Sequence, residues 1–130
     1  MNKKNLLKDA RILVVDDDKD TREMLRFILE QNGAEVVLAS SAPEAIETYK
    51  SSAPQMIVTD IGMPGYNGYA LIASIRAQDK ELGRSTPAIA LTAYTSPADE
   101  ETALSAGFQK YMSKPFDPEK IIEAIHGMLA

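Results

Sequence analysis

Met56-Ile57-Val58-Thr59-Asp60-Ile61-Gly62-Met63-Pro64-Gly65-Tyr66-Asn67-Gly68 decides how this chain is read. An apolar, β-branched run leads straight into an acid, and Gly62, Pro64, Gly65 and Gly68 follow at once. The strand must therefore stop with the Asp60 carboxylate at its tip. An acid held at the carboxyl end of a strand, ahead of a turn-rich loop, sits where open α/β sheets build their ligand sites. A loop aspartate on its own is commonly a turn or helix cap. The functional reading of Asp60 depends on what else reaches the same edge of the sheet.

Working outward, the bounds are simple. The chain has 130 residues, 45% of them hydrophobic, which suits one domain with a substantial core. Residues 1–10, with Lys3, Lys4 and Lys8, read as a flexible lead or linker end, and residues 11–130 as the domain. Cysteine is absent, which excludes disulfides and thiolate metal sites and permits a reducing compartment. No apolar run approaches the roughly 20 residues of a membrane span, and the amino terminus lacks a signal peptide's apolar length, so a soluble, cytoplasmic protein is expected. A net charge of -5 argues against nucleic acid as a direct partner.

Strand and helix signals alternate along the chain. Arg11 to Val15 is a continuous apolar strand ending in Asp16-Asp17-Asp18, and a helix follows with Met24, Phe27 and Ile28 expected on its apolar face. Asn32-Gly33 stops that helix, Glu35 to Leu38 gives a second strand, and Ser41 to Glu44 matches a capping box opening a helix through Ala45, Ile46 and Tyr49. After the Asp60 strand, Leu71, Ile72 and Ile75 mark a helix, with a polar loop expected from Gln78 to Thr86. Pro87 to Thr92 is the fourth strand. Ser96-Pro97 starts a helix that Gly107 closes, Phe108 to Met112 alternates as an edge strand would, and Asp117-Pro118 caps a last helix. Five alternations with connections too long for hairpins predict a parallel sheet covered by helices on both faces.

In such a sheet the residues just past each strand end share one rim. Here they are Asp16, Asp17, Asp18, Asp60, Thr92 and Lys114. Two carboxylates about 4 Å apart repel by about 4 kcal/mol at an effective dielectric near 20, so the cluster calls for a cation. An oxygen-only ligand set points to Mg²⁺ or Mn²⁺. A metal with open positions beside a carboxylate, a lysine and a hydroxyl suits phosphoryl transfer.

Val14-Val15-Asp16-Asp17, Val58-Thr59-Asp60 with Met63-Pro64 and Gly68, Ala90-Leu91-Thr92-Ala93, and Tyr111-Met112-Ser113-Lys114-Pro115 resemble the receiver domain of two-component response regulators, from about Arg11 to the carboxyl end. The resemblance implies a doubly wound, flavodoxin-like α/β fold with five helices and strand order 2-1-3-4-5. It makes Asp60 the phosphoacceptor, with Asp16, Asp17, Asp60 and the Gly62 carbonyl around Mg²⁺, Asp16 acting largely through water. Lys114 and Thr92 would hold phosphoryl oxygens, and Ala93 would leave them room. Thr92 and Tyr111 would form the switch, moving a face built from the segment between Ser96 and Ala130. The partner implied is a histidine kinase or a histidine phosphotransfer domain, docking on Thr21, Met24, Pro115 and Phe116, with a monomer favoured. Tyr94, two past Thr92, is bulky enough to hinder a hydrolytic water.

Other readings compete with these. Asp16 to Asp20 is not a calcium loop, because Thr21 stands where glycine is needed and Phe27 where glutamate is needed. An aspartate-nucleophile phosphatase using Asp16 is the runner-up, and a degenerate receiver used only for binding is a third possibility. Asp18 and Asp20 read as capping or solvated acids, and His126, the single histidine, suits the negative end of the last helix.

Overall fold

The computed structural model describes residues 6–61, 68–92, 97–114 and 116–129. Five strands alternate with five helices: β1 (Arg11–Val15), α1 (Lys19–Gln31), β2 (Glu35–Ala39), α2 (Ala42–Ser52), β3 (Met56–Asp60), α3 (Gly68–Leu82), β4 (Ala88–Thr92), α4 (Pro97–Ala106), β5 (Lys110–Ser113) and α5 (Pro118–Leu129). All pairings are parallel and the order is β2-β1-β3-β4-β5, as expected.

Side-chain parity explains why the strands read as unbroken apolar runs. Leu13, Val15, Ile57, Ala88 and Ala90 point to one face, where Ala45 and Tyr49 of α2, Leu71, Ile72 and Ile75 of α3 and Ala103 of α4 cover them. Ile12, Val14, Met56, Val58, Ile89 and Leu91 point to the other, under Leu25 and Leu29 of α1 and Ile121, Ile122 and Ile125 of α5. A strand covered on both faces has no polar alternate positions to show.

Local chemistry sets the element ends. Asp18 caps α1 by accepting from the Thr21 amide at 3.1 Å, and Asp117 caps α5 by accepting from the Glu119 amide at 3.0 Å. Ser41 Oγ accepts from the Glu44 amide, while the Glu44 carboxylate reaches back to the Ser40 amide and hydroxyl, one residue earlier than a standard capping box. The α4 terminus is a Schellman turn: the Gly107 amide donates to Leu104 and the Phe108 amide to Ala103. Gly107 sits at φ +125 with the Arg76 side chain 3.3 Å from where a Cβ would lie, so the position requires glycine.

Four expectations need correcting. The lead is not free over its described part: Leu7 is 1% exposed within the α1/α5 layer, and its amide donates to the Asn32 carbonyl at 2.8 Å. On α1 the inward stripe is Leu25 and Leu29, with Ile28 at its margin, whereas Met24 and Phe27 are 54% and 63% exposed. At 100° per residue Phe27 lies about 180° from that stripe. The Gln78 to Thr86 loop is shorter than expected, because α3 runs on to Leu82 and buries Asp79. Phe108 lies outside β5, since its amide closes the end of α4.

Candidate functional site

Register builds the site. Val15 of β1 pairs with Thr59 of β3, which sets Asp16, one residue on, beside Asp60 at the end of β3. Thr92 ends β4 opposite Ser113 of β5, and the Lys114 amide donates to the Thr92 carbonyl at 2.8 Å. The rim read from the sequence is therefore assembled by the sheet itself. Gly68 lets α3 begin against it: the Gly68 amide donates to the Ile61 carbonyl, and a Cβ there would lie 2.7 Å from Ile61 Cα.

Lys114 Nζ donates to Asp16 Oδ2 at 2.7 Å and to Asp60 Oδ2 at 3.3 Å. Asp16 is 1% exposed, and its Oδ1 accepts from the Asp18 amide at 2.9 Å. The Asp60 side chain is 14% exposed, and Asp17 lies open to solvent. Burial raises the Asp16 carboxyl above the usual range, against the lowering effect of its contacts with Lys114 and the Asp18 amide. Burial alone would lower Lys114, yet its hydrogen bond to Asp16 and the charges of Asp16 and Asp60 together raise it, so it stays an ammonium at neutral pH.

Asp16, Asp17 and Asp60 can each offer a carboxylate oxygen, and those oxygens lie within 4.8 Å of one another. That separation fits a single coordination sphere, in which oxygens about 2.0 to 2.6 Å from a hard divalent cation lie at most about 5 Å apart. Three carboxylates and one ammonium leave a formal charge of -2, which such an ion neutralises. The donor set therefore fits a divalent metal.

Thr92 is buried at the end of β4. Tyr111 packs against the α2/α3/α4 side of the sheet, and its buried hydroxyl has no hydrogen-bond partner among the described residues. Burial, and then the Asp99 carboxylate, raise its phenol above the ordinary value. Thr21 is half-buried with its hydroxyl on Asp18, Met24 projects into solvent, and Phe116 packs partly against the α1/α5 layer. Gly62, Ala93, Tyr94 and Pro115 lie outside the described residues.

A polar cluster at the opposite end of the sheet was not anticipated. The Tyr49 hydroxyl donates to Asp79, which also accepts from the Thr86 amide at 2.9 Å and from Arg76 at 2.8 Å. Arg76 in turn donates to the Gly107 carbonyl at 2.7 Å. The Arg76 to Asp79 spacing of three on a helix was the one available signal.

A doubly wound parallel sheet that gathers three acids, a threonine and a lysine at its carboxyl rim defines the receiver class of signalling domains. The chain belongs to the response regulator receiver domain family, whose model matches residues 12–126. It is therefore a receiver domain of two-component signalling. An uncharacterized 14.6 kDa protein from the sodA1 3' region of Leptolyngbya boryana is 46% identical over 114 residues, 88% of this chain and 86% of that protein. The response regulator MprA of Mycolicibacterium vanbaalenii is 36% identical over 120 residues, 92% of this chain but only 50% of that protein, so the chain spans about half the length of the MprA relatives it matches. Among solved structures, the chemotaxis response regulator CheY4 of Vibrio cholerae superposes with a TM-score of 0.84 at 29% identity, covering 92% of this chain and 98% of the other. A two-component response regulator from Clostridium difficile gives 0.85 at 26% identity, covering 93% and 96%. Receiver domains generally bind Mg²⁺ through an acidic pocket of this kind and typically interact with histidine kinases or phosphotransfer proteins. Among the described residues, no helix is long and apolar enough to cross a membrane.

Proposed function

We propose that this domain accepts a phosphoryl group on Asp60 from the phosphohistidine of a histidine kinase or phosphotransfer domain, with Mg²⁺ held by Asp16, Asp17 and Asp60. The observation that carries this is the position of Lys114 Nζ, 2.7 Å from Asp16 and 3.3 Å from Asp60. It places a fixed cation beside the carboxylate that would attack. In the step proposed, an Asp60 oxygen attacks phosphorus in line. The phosphorus–nitrogen bond breaks, its electron pair returns to the imidazole, and an acyl phosphate remains. Mg²⁺ supplies charge neutralisation on the phosphoryl oxygens. The Lys114 ammonium would balance negative charge on the phosphoryl oxygens, and the Thr92 hydroxyl would be the neutral donor to them at the same rim.

Asp60 is favoured over Asp16 as nucleophile on grounds of access. Both carboxylate oxygens of Asp16 are engaged, one by Lys114 and one by the Asp18 amide, and the residue is enclosed. Tyr111 is the switch residue in this reading, because its buried hydroxyl, unpaired among the described residues, gives the β5 face a reason to rearrange. The exposed Met24 on α1 supports partner docking there, with Thr21 on the same helix and Pro115 and Phe116 after β5 as the further candidates. Incubation with acetyl phosphate and MgCl₂, followed by intact mass measurement, should give an adduct of about 80 Da corresponding to one phosphoryl group. The adduct should be absent in Asp60→Asn and retained in Asp16→Asn at a reduced rate. Label that persists in Asp60→Asn and vanishes in Asp16→Asn would reverse the assignment.

A further inference from the structure

Arg22, in the first turns of α1, donates from Nη1 to the backbone carbonyl of Asp16 at 2.8 Å. Every polar atom of Asp16 is then held: its amide donates to the Ala39 carbonyl at 3.2 Å, Oδ1 accepts from the Asp18 amide, and Oδ2 accepts from Lys114. Asp17 is different. Its side chain is exposed and has no partner among the described residues, although its carboxylate is one of the three that converge. The backbone therefore sets where the Asp17 side chain starts and which rotamers can reach Asp16 and Asp60. The planar peptide joining Asp16 to Asp17 contains the carbonyl that Arg22 holds.

We propose that Arg22 is a positioning residue for the metal site, fixing the Asp16–Asp17 peptide plane so that the Asp17 carboxylate is aimed at Asp16 and Asp60. This rests on the metal reading given above. Arg22 donates to that carbonyl from a half-buried position, and the Glu44 carboxylate lies near enough to feel its charge. It lines a surface recess with Leu38, Ala39, Ser40 and Glu44. Glu44 is itself anchored on Ser40.

Positioning and charge act with opposite sign here, which makes the inference testable. A guanidinium near a metal site repels the incoming cation, so removing it tightens metal binding if charge is its only effect. Removing a strut loosens binding instead. MgCl₂ is titrated calorimetrically at constant ionic strength into wild type, Arg22→Met and Arg22→Lys. The Asp17 amide resonance and the melting temperature are recorded without metal. Arg22→Met should weaken Mg²⁺ binding about tenfold, the lower end for a group that orients a metal ligand. It should also shift or broaden the metal-free Asp17 resonance. Arg22→Lys, whose ammonium can still donate to the carbonyl, should recover most of the affinity. Should Arg22→Met melt abnormally, Arg22→Gln, polar but too short to reach, gives the same comparison. Unchanged or tighter Mg²⁺ binding in a folded Arg22→Met or Arg22→Gln protein overturns the inference. Failure of wild type itself to bind Mg²⁺ overturns the metal reading and this inference with it.

Discussion

Magnesium should raise the melting temperature of the wild-type domain substantially and that of Asp60→Asn hardly at all. The metal-free site holds three carboxylates whose oxygens lie within 4.8 Å of one another. At that separation each pair repels by about 3.5 kcal/mol at an effective dielectric near 20. Lys114 offsets this for Asp16 and Asp60, its two hydrogen-bonded partners, and Asp17 is left for the cation. A ligand at a hundred times its dissociation constant stabilises by about 2.7 kcal/mol. For a chain of 130 residues, unfolding entropy near the midpoint is about 0.27 kcal/mol/K, so the gain is about 10 °C. Groups that merely orient a metal ligand are worth about 10- to 100-fold in affinity, so losing a ligating carboxylate is worth at least about the upper figure. At the same MgCl₂ concentration Asp60→Asn would sit near half saturation and gain about 0.4 kcal/mol, or about 1.5 °C. The assay is a thermal melt of both proteins in MgCl₂ and in NaCl of matched ionic strength. Equal magnesium gains in the two proteins, or a gain that NaCl reproduces, would refute direct ligation by Asp60.

Three further outcomes follow from particular contacts. Leu7→Ala should destabilise by about 2 to 4 kcal/mol in urea unfolding, because a fully enclosed leucine leaves a cavity, even though the family match begins only at residue 12. Burial alone would raise the Asp79 carboxyl, but the Tyr49 hydroxyl, the Thr86 amide and Arg76 together hold it below its ordinary value of 3.8. A depressed folded-state value means that the stabilisation is fully present above pH 3.8 and is lost as pH falls through the lower folded value. Asp79→Asn should therefore lower stability at pH 7 by about 3 kcal/mol and flatten the acid limb of a stability–pH profile. Tyr111→Phe removes a buried hydroxyl that has no partner among the described residues, so the variant should be more stable by about 1 kcal/mol in the same unfolding assay.

The carboxyl rim was legible in the sequence because acids and a lysine at strand ends contradict the apolar runs before them. Parallel topology then leaves them nowhere to go but together. The strand order came from family resemblance, since five similar apolar runs carry no label of their neighbours. The opposite end of the sheet was illegible for a physical reason. Asp79 sits in the run Gln78-Asp79-Lys80-Glu81, where a buried acid and a solvated one look alike until tertiary packing brings Tyr49 and Thr86 against it. Met24 and Phe27 misled for the converse reason: hydrophobicity suggested an inward face, while the helical period had already given that face to Leu25 and Leu29. Arg22 gave no signal, because its partner is a backbone carbonyl and any residue carries one.

The parity of β5 has a consequence for how a charge change at Asp60 would travel. Tyr111 packs toward the α2/α3/α4 side and Met112 toward the α1/α5 side, so this strand touches both helical layers. Among the described residues it is an edge strand paired to β4 alone, and Lys114 just past its end is what joins it to Asp16 and Asp60. A second negative charge arriving at Asp60 strengthens the pull on that ammonium, and the strand with only one neighbour yields first. The amides of Lys110 to Ser113 should therefore change hydrogen exchange on acetyl phosphate treatment more than those of the central strands β1 and β3. A response confined to the central strands, with β5 unmoved, would mean that Lys114 holds charge without transmitting it.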